Sequence, residues 1–306
     1  MKHSAELQIN PESASSNWFI RHWRGEISLG EAYWLNGVLL ANCLPALIVF
    51  GYDAGQPFSH SLRAGAAAAV TLRVLQITIW IWATVGIIRS ANRHTARGGK
   101  LFWANAARVM VCLSVLATAR DLQNDNIHTE ILMAQIASGH DPMGRAVVES
   151  TSDGTAIVLQ GRIGGGSADA LQSVLDATPN ATTLILDSKG GRITEAADIA
   201  IRVKQRQLDT MVRNQCLSAC TYIFLAGMHR VATASSSLGF HQPSLPGQTP
   251  IGKWMSTQHM REYYRAAGLR DWFVDRVIAT EPKDVWIPTK SDLAAAGVLT
   301  SPLGRP

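Results

Sequence analysis

The chain has 306 residues, of which 47% are hydrophobic and 17% are charged. This length accommodates one ordinary domain plus an appendage, and the low share of charged residues favours membrane association over a wholly soluble protein. The net charge of +5 is modest, and the basic residues do not alternate with aromatic ones, which argues against nucleic-acid binding. The four cysteines, Cys43, Cys112, Cys216 and Cys220, fit neither a disulfide framework nor a zinc site.

Three apolar runs follow one another in the N-terminal part of the chain. Residues 32–50 carry no charge, residues 70–88 contain only Arg73, and residues 101–119 contain only Arg108. A helix needs about 20 apolar residues to cross a hydrocarbon core, so each run predicts a membrane span. Buried helices of a soluble bundle are the alternative.

Basic residues are distributed unevenly between these runs. The segment after the second run holds Arg89, Arg93, Arg97 and Lys100, whereas the segment after the first holds only Arg63. The positive-inside bias therefore places residues 89–100 in the cytoplasm. An inner-membrane protein with three spans then has a cytoplasmic N-terminus and places everything after Ala119 in the periplasm of a Gram-negative bacterium. No cleavable signal peptide is expected, because the first 30 residues are polar.

The predicted organisation is a cytoplasmic segment (1–31), a three-span region (32–119), a linker (120–154) and an outer domain (155–306). The stretches "HWRGEISLGEAYWLNGVLL" and "IWATVGIIRSANRHT" resemble a three-helix membrane module at the N-terminus of assorted proteobacterial proteins. That resemblance covers roughly residues 18–119, and it implies anchoring with no chemistry of its own.

The outer domain alternates strand and helix patterns. The strand patterns are "TAIVLQG", "TTLILD" and "DTMVRN", and helical patterns separate them. This alternation predicts an α/β fold with stacked βαβ units and a parallel sheet, preceded by the helical transmembrane region. The glycine run 164–166 could hold a phosphate, but no G-K-[ST] follows it; a turn capped by Ser167 is the alternative.

Three polar residues point to nucleophilic catalysis, two of them after predicted strands and the third, Asp284, after a pair of predicted helices. Ser218 lies at a strand-to-helix turn, and His241 ends a later strand where it would accept the serine proton. Asp284 would orient the imidazole. An N-cap role for Ser218 is the alternative, and a dyad with Lys189 would require that lysine to be desolvated.

Two backbone N–H groups are candidates for stabilising an oxyanion. The glycine pair in "DSKGG" allows conformations that aim bare N–H groups at one point, and Gly191 would supply one donor. The N–H of Ala219, at the start of the helix after Ser218, would supply the other. Cys216 and Cys220 flank the serine, and their spacing across one helical turn would allow a disulfide that braces it; two buried thiols are the alternative.

The stretches "DSKGGRI", "CLSACTYIFLAG", "LGFHQP" and "KDVWIP…DLAAAGVL" resemble, in order and spacing, the ClpP peptidase subunit and its relatives in the ClpP/crotonase fold. The resemblance covers roughly residues 155–300 and extends especially to membrane-linked or periplasmic ClpP-like proteins. The resemblance implies Ser218 as nucleophile, His241 as base, Asp284 as third member, and Gly191 with Ala219 as oxyanion donors. Lysine replaces the usual proline at position 189, and the stretch between His241 and Asp284 is shorter than in ClpP. Glu281 and Asp292 are therefore the substitutes for Asp284.

The sequence thus predicts a membrane-anchored serine hydrolase, foremost an ATP-independent peptidase acting on peptides or unfolded segments at the periplasmic face. No metal or organic cofactor is implied. Membrane lipid and, by resemblance, further copies of the chain are the expected partners. An inactive ClpP-like scaffold is the alternative function, followed by a crotonase-type acyl-CoA enzyme, which would need a source of CoA.

Overall fold

A computed structural model describes residues 17–48, 61–123, 126–244 and 250–300. The chain divides into two compact units. The first comprises Met1–Phe50 and Leu72–Asn124, and the second comprises Gly51–Thr71 and Asp125–Pro306. Two segments lie outside the described residues: residues 1–16, which are half of the expected cytoplasmic segment, and residues 49–60, which are the end of the first run and the beginning of the loop after it.

The N-terminal part of the chain is helical. It contains α1 (Trp18–Trp23), a π-helix (Glu31–Cys43), α2 (Leu62–His94) and α3 (Leu101–Gln123). Two described helices are long and apolar enough to cross a membrane: Leu62–His94 and the Leu101–Arg120 part of α3, each with a mean hydropathy of 1.6. They contain the second and third predicted spans. The first predicted span is helical as far as residue 48, and its last two residues lie outside the described ones.

The remainder of the chain combines six strands with seven helices among the described residues. The strands are β1 (Val147–Ser150), β2 (Ala156–Gln160), β3 (Thr183–Ser188), β4 (Asp209–Leu217), β5 (Arg230–Ala232) and β6 (Ser237–Gly239). The helices are α4 (Asn126–Ala137), α5 (Ser167–Ala177), α6 (Ile193–Gln205), α7 (Cys220–Leu225), α8 (Pro250–Ala266), α9 (Asp271–Ala279) and α10 (Lys290–Ala295).

These strands form one sheet in the order β1-β2-β3-β4-β5, and β6 pairs with the later part of β4. Strand β1 is antiparallel to β2, whereas every other pair is parallel. The predicted α/β class with βαβ units is therefore confirmed. Because parallel strands point the same way, the residues that follow β2, β3, β4 and β6 meet at one edge of the sheet.

The core between sheet and helices explains why these segments fold as they do. Strand β3 is buried on both faces at Leu184, Ile185 and Leu186, as expected of a strand covered by helices on a parallel sheet. Helices α5 and α6 each turn one apolar stripe inward, including the fully buried residues Leu175 and Val203. The sheet is therefore a rigid frame for the loops at its carboxyl edge.

Strand β1 lies inside the expected linker and was not predicted. Its register pairs Val147 with Gln160 and Ser150 with Ile157, although its own side chains are mostly exposed. A four-residue strand with one weakly buried position carries little hydrophobic alternation, which is why the sequence pattern does not indicate it. The linker thus contributes an edge strand to the sheet.

Candidate active site

Ser218 lies on a sharp turn between β4 and α7. Strand β4 ends at Leu217 and α7 begins at Cys220, so the chain reverses within two residues. Ser218 has φ 55°, a left-handed conformation that non-glycine residues adopt at a cost of about 1–3 kcal/mol and that often occurs at functional sites. Its backbone N–H donates to the carbonyl of Gly239 at 2.8 Å, which anchors the turn to β6.

The side chain of Ser218 does not cap the following helix. The N-cap position of α7 is Ala219, and no side chain caps it. The Ser218 hydroxyl instead lies 2.7 Å from Nε2 of His241. The N-cap alternative for Ser218 is therefore wrong, and the hydroxyl is directed at an imidazole.

Strand pairing brings His241 to the serine. Leu217 pairs with Gly239 in parallel register, so the residues that follow each strand lie side by side. Phe240 then exchanges two backbone hydrogen bonds of 2.9 Å with Trp286, which holds the chain extended up to His241. The sequence predicted that His241 lies close to Ser218, and the register of β4 and β6 explains why it does.

The second ring nitrogen of His241 fixes its tautomer. Nδ1 lies 2.7 Å from the carbonyl oxygen of Gln242, and a carbonyl can only accept, so Nδ1 carries the proton. In the neutral imidazole, Nε2 is then the unprotonated nitrogen and accepts the hydrogen bond from Ser218. This is the protonation state that a general base requires.

No carboxylate contacts His241 among the described residues. Asp284 is exposed, and its side chain makes no hydrogen bond to the imidazole in the described part of the chain. Glu281 pairs with Lys283 at 3.1 Å, and Asp292 is occupied by the capping box of α10, where it accepts from Thr289. The imidazole is instead oriented by the Gln242 backbone carbonyl, which no side-chain pattern in the sequence could have indicated.

The glycine loop after β3 contacts the turn that carries Ser218. Gly190 has φ 89°, and a Cβ placed on it would lie 2.6 Å from the Leu217 carbonyl oxygen and 2.8 Å from Cβ of Ser218. Only glycine permits both that backbone conformation and that close approach. The loop and the serine turn are therefore in direct backbone contact.

The two glycines of this loop have different hydrogen bonding. The N–H of Gly190 donates to the Ser188 hydroxyl at 3.0 Å, and its carbonyl accepts from the Ile163 N–H at 3.0 Å. The N–H of Gly191 shares a peptide plane with that carbonyl and points the opposite way, away from Ile163. Within the described ranges, neither this N–H nor that of Ala219 donates to a protein acceptor. Both remain available to an oxyanion.

Cys216 and Cys220 form a disulfide, with their Cα atoms 5.3 Å apart. The approach arises because Cys216 lies on β4 and Cys220 begins α7, so the two residues face each other across the serine turn rather than across a helical turn. Cys43 and Cys112 are free. The bridge encloses the residue that we predict as the nucleophile.

Breaking this bridge is expected to loosen the turn and lower stability. Closing so short a loop is worth about 2 kcal/mol in the chain-entropy account, so dithiothreitol should lower the Tm of the wild-type protein. The variant Cys216→Ala/Cys220→Ala should not respond to reductant, whereas Cys43→Ala/Cys112→Ala should respond as the wild type does. Alkylation of all four thiols without prior reduction would show that the bridge is absent.

The other candidates from the sequence are placed away from this chemistry. Lys189 is exposed, so it is not the desolvated lysine that a serine–lysine dyad requires. Gly165, in the glycine run, donates its N–H to the carboxylate of Asp141, and α5 has Gly166 at its N-cap, with Ser167 as its first residue. No group of three or more potential metal-ligating side chains occurs in the described residues.

Comparison with known proteins gives fold similarity only. No family model and no curated protein matches the chain. Among solved structures, ClpP1 from Listeria monocytogenes is similar over 50% of this chain and 94% of its own, with 15% identity and a TM-score of 0.44. A point mutant of that protein is similar over 48% of this chain and 90% of its own, with 17% identity and a TM-score of 0.40.

A mutant of the membrane-bound stomatin-specific protease 1510-N is also similar. It shares 20% identity, over 47% of this chain and 76% of its own, with a TM-score of 0.37. Similarities at this level assign no activity to the chain, and the functional argument depends on the geometry of the site.

Proposed function

We propose that the chain is a membrane-anchored serine hydrolase that cleaves peptide bonds with Ser218 as nucleophile and His241 as general base. The observation that carries the proposal is the 2.7 Å contact between Ser218 Oγ and His241 Nε2. A serine capping a helix would not need an imidazole partner, and a serine held at φ 55° gains nothing in stability from that conformation.

In the proposed reaction, Ser218 Oγ attacks the substrate carbonyl carbon while His241 Nε2 takes the hydroxyl proton. The negative charge that develops on the carbonyl oxygen is stabilised by the N–H groups of Gly191 and Ala219. The imidazolium keeps its Nδ1 proton on the Gln242 carbonyl and delivers the Nε2 proton to the leaving amine. Water, deprotonated by the same imidazole, then releases the acyl group from Ser218.

Asp284 remains a proposal as the third member of a triad. It belongs to the segment that pairs with His241's strand through Phe240 and Trp286, so a local rearrangement on substrate binding would bring it toward Nδ1, where it would replace the Gln242 carbonyl. Catalytic hydrogen bonds often tighten only in the complex with substrate. With Asp284 displaced, the imidazole has weaker support than an aspartate would give.

Anchoring and orientation complete the proposal. Three membrane spans would hold the protein in the inner membrane. They are a first span over residues 32–50, helix α2, and the Leu101–Arg120 part of α3. The four basic residues of 89–100 support a cytoplasmic position for that segment, and with three spans the hydrolase domain would lie in the periplasm. Peptides and unfolded segments are then the substrates, cleaved without ATP, and association with further copies of the chain is expected.

An inactive scaffold is the second candidate, and one observation favours it. The imidazole has no carboxylate partner among the described residues, and a backbone carbonyl cannot stabilise the charged ring as a carboxylate does. The scaffold hypothesis predicts a serine of ordinary reactivity. It is separated from the hydrolase by activity alone, because both share one fold.

The experiment is cleavage of unfolded casein by the detergent-solubilised full chain, with and without ATP. We expect cleavage by the wild-type protein at the same rate in both conditions, and none by Ser218→Ala. Cleavage that survives Ser218→Ala would indicate a contaminating protease, and an inert but folded wild-type protein would favour the scaffold.

A further inference from the structure

A buried ion pair between Arg192 and Asp141 lies next to the glycine loop. Arg192, which directly follows Gly191, donates from Nε to Asp141 Oδ2 at 3.0 Å and from Nη2 to Asp141 Oδ1 at 2.7 Å. The Asp141 side chain is only 4% exposed and that of Arg192 is 15% exposed. This two-point geometry fixes both the distance and the orientation of the guanidinium group.

Each oxygen of the Asp141 carboxylate accepts two hydrogen bonds. Besides Arg192, the carboxylate accepts the N–H of Gly165 at 2.9 Å and the N–H of Met143 at 3.0 Å. Burial acts to raise the pKa of Asp141, but the hydrogen bonds from Arg192, Met143 and Gly165 outweigh it and hold that pKa below its ordinary value. The carboxylate is therefore ionised at neutral pH, which completes the pair.

Asp141 joins two loops, one of which contains Gly191, by accepting hydrogen bonds from Gly165 on one and from Arg192 on the other. One loop contains Gly165 and, two residues earlier, Ile163, whose N–H donates to Gly190 and whose carbonyl accepts from the Arg192 N–H at 2.6 Å. The other loop contains Gly191 itself and Arg192. Since Ile163 fixes the peptide groups on both sides of Gly191, the direction of the Gly191 N–H depends on how these two loops are held together.

Asp141 lies 51 positions before Arg192, in the stretch that the sequence suggested was only a linker. The linker packs against the glycine run as well as binding it, since a Cβ on Gly164 would lie 1.6 Å from the carbonyl oxygen of Gly144. Residues of the linker therefore help to hold the loop that contains Gly191 in place.

We propose that Asp141, acting through Arg192, is a positioning residue that sets the Gly191 N–H for oxyanion stabilisation. The inference rests on the proposed function, because it assigns a supporting role within the same site. It makes the segment between the helical region and the sheet a determinant of kcat. Asp141 does not contact the substrate. It acts on the direction of the Gly191 N–H and not on the reacting atoms.

The test uses steady-state hydrolysis of p-nitrophenyl acetate by the full chain in detergent. The variants are Arg192→Gln, Asp141→Asn and the two combined, and the Tm of each shows that it is folded at the assay temperature. The matched control is the exposed pair Arg265 and Asp271, which are 2.7 Å apart with side chains 50% and 69% exposed, changed to Gln and Asn in the same way.

We expect each single variant of the buried pair to lower kcat about tenfold or more, because a misplaced donor acts on the transition state, with KM within about twofold of wild type. The combined variant should have a kcat no lower than the poorer single one, since both changes break one tether. It also leaves no uncompensated buried charge, which makes it the variant best able to fold. The control variants should match the wild type.

Three results would overturn the positioning role: a wild-type kcat in folded Arg192→Gln, effects of the two changes that multiply, or a change confined to KM. Each of these is read against an active wild type and active controls. If the wild type and the control variants are themselves inactive on the ester, the proposed function fails first and the positioning role with it.

Discussion

Replacing His241 with alanine is expected to lower kcat for p-nitrophenyl acetate at least about ten-thousandfold, to the level of Ser218→Ala. The serine hydroxyl is a weak nucleophile without a base to take its proton, and Nε2 of His241 is the base at 2.7 Å. The double variant should be no worse than either single one, because the two residues act as a unit.

His229 provides the matched control for this experiment. It is a second histidine of the same unit, exposed, with its Nδ1 2.9 Å from Asp209, and it lies outside the proposed machinery. His229→Ala should retain the wild-type kcat. Equal losses in His229→Ala and His241→Ala would mean that histidine substitutions act through folding, and the assignment of His241 as base would then be wrong.

Replacing Gly191 with alanine is expected to lower kcat about a hundredfold to a thousandfold while KM changes little, as for the loss of one oxyanion donor. A Cβ on Gly191 would lie 2.1 Å from the carbonyl oxygen of Ile163. The backbone must shift to relieve that contact, and the N–H is then no longer held in the direction set by its neighbours. The measurement is the steady-state rate on the same ester, together with the Tm.

Gly268→Ala separates this effect from a general cost of adding a methyl group at a glycine. Gly268 has φ +86° and open space where a Cβ would be, so alanine there strains the backbone and lowers stability by about 1 kcal/mol without touching the site. Its kcat should equal that of the wild type. If the Gly191→Ala protein is folded and fully active, the assignment of Gly191 as an oxyanion donor is wrong.

The sequence predicted the parts of the site that depend on the order of strands. Ser218 and the glycine loop each follow a strand with a recognisable apolar pattern, His241 was expected at the end of a later strand, and parallel pairing brings such positions to one edge of the sheet. The cysteine pair was also visible from its spacing, although its geometry arises from a strand-to-turn junction and not from a helix.

What the sequence could not indicate has physical reasons. The Gln242 carbonyl that orients His241 is a backbone group, which leaves no trace in residue types. Asp141 lies far from Arg192 in the chain, and it precedes β1, a strand too short and too exposed to produce a pattern. Asp284 was assigned from the order of the motifs, but the motifs do not encode the local loop conformation, in which Asp284 is exposed and makes no hydrogen bond to His241 within the described residues.

The measurement that tests the central claim most directly is labelling of the solubilised wild-type protein with a fluorophosphonate probe, followed by mass mapping of the adduct. Such probes react with a serine that a neighbouring base activates. The account predicts a single adduct on the peptide that contains Ser218, absent from Ser218→Ala and from His241→Ala. A folded wild-type protein that takes up no probe, or that carries the adduct on another serine, would contradict it.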